Sequence, residues 1–133
     1  MTTIHNTQST LLRNALRANS AFSAISGIIT AIGAGVLVQF MGVGTLALYI
    51  IIGLALVFHA VTLLMNTRTD NINVGFAWYA IIGDILWVLA TAFILLTDSF
   101  SLSTDGKWLL LFIADIVLLF AIAQFIGLRR MQK

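Results

Sequence analysis

The sequence predicts an all-α integral membrane protein: an antiparallel four-helix bundle preceded by a short amphipathic helix at the membrane surface. Three observations predict it. Sixty percent of the 133 residues are hydrophobic and 9% carry Asp, Glu, Lys or Arg, against roughly 25% charged in soluble domains. The apolar residues gather into four continuous runs, each as long as the ~20 residues that cross a hydrocarbon core. The runs do not alternate, and backbone inside a bilayer must satisfy its own hydrogen bonds, so helices are favoured over barrel strands.

Residues 1–8 are polar and without periodicity, as in an unstructured cytoplasmic tail. From Ser9 to Asn19 a helix is expected at the membrane surface, with Ser9 or Thr10 as cap. Leu11, Leu12, Ala15 and Leu16 share one side of it, and Arg13 and Arg17 face anionic headgroups. Four spans follow, at about 20–41, 44–65, 74–97 and 107–128. The organisation is therefore a tail and interfacial helix (1–19), a four-span domain (20–128) and a basic cytoplasmic C-terminus (129–133). The first run is too long for a signal peptide and is not followed by a small-residue cleavage site. Gly42 to Gly44 forces the first two spans into a tight antiparallel hairpin, and the turns at 66–73 and 98–106 are longer and polar.

Arg13, Arg17, Arg68, Arg129, Arg130 and Lys133 fall on one side of these spans, and Lys107 alone on the other. The positive-inside bias then puts both termini in the cytoplasm, and Trp78, Tyr79 and Trp108 fit aromatic belts. The basic residues flank apolar runs instead of interleaving with polar ones, which argues against nucleic acid as a partner. The absence of cysteine excludes disulfides, thiolate metal sites and cysteine nucleophiles. No Walker, His-Glu-x-x-His or Gly-x-Ser-x-Gly motif occurs, and Gly33-x-Gly35 lies inside an apolar run with no strand before it. No cofactor or catalytic residue is expected.

Two features invite a closer reading. Ser23, Gly27, Ala31 and Gly35 recur at every fourth position of the first span, a small-residue stripe that lets another helix approach closely, inside the monomer or across a dimer seam. His59, Asp84 and Asp115 are ionisable groups within apolar spans, at depths of roughly 10, 15 and 20 Å from the cytoplasmic boundary. They are expected to form one interior polar cluster, either as structural hydrogen-bonding groups, as a proton or ion path, or as the wall of a small-ligand pocket. Gln124, nine residues beyond Asp115, falls on the opposite side of the fourth span, so both cannot face one core. It is expected to reach headgroups or another subunit. His5 has no second ligand nearby and takes no role.

Leu11-Leu12-Arg13-Asn14-Ala15-Leu16-Arg17-Ala18-Asn19 leading into an apolar span, Asp84-Ile85-Leu86-Trp87-Val88 and the closing Gln124-Phe125-Ile126-Gly127-Leu128-Arg129-Arg130 resemble small bacterial four-span proteins of no assigned activity. That resemblance implies a bacterial inner membrane and transfers no catalytic residue. Small multidrug-resistance transporters are similar in size and span number, but their pattern has a glutamate in the first span, and this chain has none at all. The function expected is a non-enzymatic accessory or structural protein of the lipid bilayer that associates with itself or with a larger membrane complex. The alternative is a small proton-coupled carrier using the His59, Asp84 and Asp115 groups.

Overall fold

The structure, a computed structural model, describes residues 2–132, with side chains from Thr10 to Gln132. His5, the tail residues 1–8 and Lys133 lie outside the residues whose side chains are described. Five helices follow one another: α1 (Thr2–Ile32), α2 (Ala34–Met41), α3 (Leu46–Thr67), α4 (Val74–Thr97) and α5 (Thr104–Gln132). Four of them are long and apolar enough to cross a membrane, and no strand occurs among the described residues.

The expected surface helix is not a separate element. The segment Ser9 to Asn19 runs without interruption into the first span as part of α1. No glycine or proline lies between Thr10 and Ser26 to break it. Its leucines are core residues as well: Leu12 and Leu16 are fully buried, packed with Leu63, Ile72, Ala77, Ala80, Ile81 and Leu128. Arg13, expected at the headgroups, instead donates to the backbone carbonyls of Thr67, Thr69 (2.8 Å) and Asp70 (3.0 Å). Arg17 joins it on the Thr67 carbonyl and hydroxyl. The last carbonyls of a helix have no partner within it and carry negative partial charge, so two guanidinium groups there cap α3.

The first span breaks once, at Gly33, between α1 and α2. The chain has no proline, and glycine is the residue that most readily admits such a bend. Beyond it, α2 reaches the start of α5. Ser103 donates through its backbone N–H to the Met41 carbonyl (2.9 Å) and through its hydroxyl to the Phe40 carbonyl. The same hydroxyl accepts from Gly106 N–H (3.0 Å) and so begins α5. Thr45 and Asn73 do the same for α3 and α4, accepting from Leu48 and Phe76 N–H. Gly42, at φ 76°, ends α2 in the left-handed conformation that glycine adopts freely.

Around the bundle the order is α3, α1, α5, α4: α1 packs against α3 and α5, and α5 against α4. The α1–α3 crossing is where the small-residue stripe is used. Ser20 donates to the Ala60 carbonyl (2.7 Å), Ser23 is buried, and Gly27 lies so near Gly53 that a methyl group on either would stand 2.6 or 2.5 Å from the other's carbonyl oxygen. Ala31 also touches Gly53. The stripe thus serves packing inside the monomer. Gly35 leaves it: past the Gly33 break it is exposed. A third close approach joins α5 to α1, where a Cβ on Gly127 would meet Leu12 backbone at 2.8 Å.

α3 and α4, although consecutive, do not pack as a pair; a tilted His59–Tyr79 ring contact at 6.0 Å links them. The bundle is therefore closed by two apolar plugs. One, at the end holding both termini, is the Leu12 and Leu16 cluster. The other, at the hairpin end, centres on Ala34, Met41 and Tyr49.

Candidate functional site: a polar network facing an intramembrane cavity

Between the plugs lies a cavity of about 330 Å3, walled by all five helices. Its surface is mostly apolar, from residues such as Phe22, Leu56, Trp87 and Ile113, with Ser26, Thr30 and His59 among the polar exceptions. A second cavity, of about 280 Å3, shares Met41, Tyr49, Ile52, Trp87 and Leu110 with the first and continues it towards the hairpin end. Both occupy the space left where α3 and α4 fail to pack. Gly83 of α4 lines the first cavity, is exposed, and has open space where a Cβ would stand.

Asp84 sits ten residues into α4, about 15 Å along a helix at 1.5 Å per residue and so near its middle. It is buried, and its Oδ2 accepts from Asn19 Nδ2 and Gln124 Nε2, each at 2.8 Å. Asn19 Nδ2 also donates to Gln124 Oε1 (3.0 Å), and Ser23 Oγ donates to Asn19 Oδ1 (3.2 Å). One network thereby joins α1, α4 and α5 inside the bundle, where every buried polar group needs a partner. Among the described residues no sealed side-chain polar atom lacks a partner. The second oxygen of Asp84, which takes no described protein donor, is thus open to the cavity that Asp84 lines.

Of the three ionisable groups expected to cluster, His59 and Asp84 line the same cavity and Asp115 does not. His59 is half-buried, its ring tilted against Tyr79, and no described hydrogen bond joins its ring to Asp84. Asp115 is exposed on the outer face of α5. Gln124, expected at the headgroups or another subunit, is fully buried in the core. The two face opposite sides of α5, as their spacing requires, with the amide turned inward and the acid outward. The reason is spatial: Gln124 is on the α5 face that carries Val117, Ala121 and Leu128, all buried. No group of three or more His, Cys, Asp or Glu side chains that could hold a metal ion occurs among the described residues.

Asn19 was missed because it ended the expected surface helix. A signal for it existed: extended back by four, the stripe of Ser23, Gly27 and Ala31 begins at Asn19. The chain matches no family model, no curated protein and no solved structure.

Proposed function

We propose that the chain is a small membrane carrier that binds a mostly apolar molecule bearing one hydrogen-bond donor, with Asp84 as the polar contact. The observation that supports this is the Asp84 carboxyl itself, fixed through one oxygen by two amides while the other faces a cavity at mid-span. Mostly apolar walls with a few oriented polar groups are the usual make-up of small-molecule sites. In the ionised form the open carboxyl oxygen only accepts, so the ligand supplies the donor, an amine or a hydroxyl. A group at which ligand and proton compete is also what proton coupling requires, and His59 stands in the same wall. The role is binding and carriage, not catalysis. The setting proposed is a bacterial inner membrane, with both termini cytoplasmic, on the strength of the basic residues at that end.

Phenethylamine, with ethylbenzene as its donor-free counterpart, tests the reading by thermal unfolding in detergent. Phenethylamine is expected to raise the midpoint of the unsubstituted protein by several degrees, since ligand at 100 times its Kd stabilises by about 2.7 kcal/mol. Gly83→Leu fills open space and is expected to keep the fold and lose the response; Asp84→Asn should lose most of it. An equal shift in all three proteins, or equal shifts from both compounds, overturns the reading.

A further inference from the structure

The outer face of α5 carries a feature independent of the cavity. Trp108, Phe112, Leu119, Ile122 and Ile126 form a stripe of exposed apolar side chains along this helix. Asp115 stands in the middle of that stripe, exposed. Eleven residues separate it from Thr104, about 16 Å along a helix, so it lies deep within the span. A stripe of this composition suits lipid tails everywhere except at that carboxyl, and polar groups within a membrane face a partner.

Among the described residues Asp115 takes no hydrogen bond or ion pair. Arg13 and Arg17 are engaged at the end of α3, Arg68, Arg129 and Arg130 lie at the ends of α3 and α5, and Lys107 is paired with Asp98 at 3.1 Å. Arg129 is 14 residues from Asp115 on the same helix, about 21 Å away. His59 is across the bundle in the cavity wall. The partner of Asp115 therefore comes from another molecule and must offer a polar group at the same depth.

We propose that a second copy of this chain, inserted the same way round, packs along this stripe and pairs its Asp115 with the first. A two-fold axis normal to the membrane brings like residues to like depth, so the interface needs one group that is complementary to itself. Two carboxyls that share a proton form such a pair, one donating its O–H to the other's oxygen. The apolar residues above and below supply matching surface, and the pair removes the one polar side chain of the stripe from lipid. An amide at the same position is also self-complementary; a leucine is not.

The absence of cysteine makes the experiment clean. Thr104→Cys places a single thiol on the same stripe at its exposed end, where a spin label attaches and dipolar coupling in liposomes reports pairing. Coupling is expected in the otherwise unsubstituted chain and in Asp115→Asn. Asp115→Leu is expected to reduce the coupled fraction by about fivefold or more, as loss of the polar contact across the helices requires. Its helix content by circular dichroism should stay unchanged, because the exposed side chain belongs to neither core cluster. Absence of coupling in the unsubstituted chain, or equal coupling in Asp115→Leu, overturns the proposal; neither result bears on ligand binding at Asp84.

Discussion

Gln124 and Asp115 show how little residue type alone says about position in a membrane helix. The acid is more costly in lipid, yet the amide is the one buried, because it completes a network in which Asn19 and Gln124 share the Asp84 oxygen. Replacing Gln124 by leucine leaves Asp84 and Asn19 each short of a partner. The expected loss is about 1–3 kcal/mol, the usual penalty for an unsatisfied buried group. Thermal unfolding in detergent of Gln124→Leu measures it, and a midpoint equal to that of the unsubstituted chain would show the network to be dispensable. Asp84 was legible in the sequence as an isolated charge in an apolar run. Its partners were not, because amides lie in many spans without consequence and only the rotation of three helices brings these two to the carboxyl.

At the scale of elements, spans announced by long apolar runs were the most legible: α4 occupies 74–97 as expected, and α3 is displaced by two residues from 44–65. The start of the first span was not. Arg13 and Arg17 read as a surface helix because charge normally marks the water boundary, whereas here the end of α3 supplies carbonyls that receive it. The stripe from Ser23 to Ala31 was legible too, but its counterpart Gly53 is a lone glycine on α3 and carries no pattern of its own. Gly53→Leu is expected to be at least as damaging as Gly27→Leu. The Cβ at 53 meets Ala31 N–H and Cβ as well as the Gly27 carbonyl, all rigid parts of α1. Overpacking of this kind costs about 1–3 kcal/mol or more. Size-exclusion profiles and unfolding midpoints of the two variants decide the matter: profiles and midpoints that match the unsubstituted chain would mean that α1 and α3 need no close approach.

For the whole molecule, an even number of spans sets both termini on one face, and the described arginines are concentrated there. Reporters fused at the N-terminus, within the 68–73 turn and at the C-terminus are expected to give cytoplasmic signals, and one within 99–103 an external signal. A periplasmic signal from either terminus reverses the proposed orientation. The bundle also divides its duties by level: apolar plugs close the two ends, and the poorly packed α3–α4 side leaves room in the middle.

The clasp of Arg13 on the end of α3 has a consequence in time. The carbonyl it grips on Thr67 is made 54 residues after the arginine itself, roughly 3–11 s later at ordinary rates of synthesis. In the proposed orientation the guanidinium is, throughout that interval, a positive charge beside a nascent apolar segment, of the kind that biases an end to the cytoplasmic side. Once α3 has emerged, the same group stops being an address and becomes a latch. If the proposed orientation holds, this side chain contributes first to the direction of entry and afterwards holds the second crossing against the first, so its replacement would be felt twice, at insertion and again at closure.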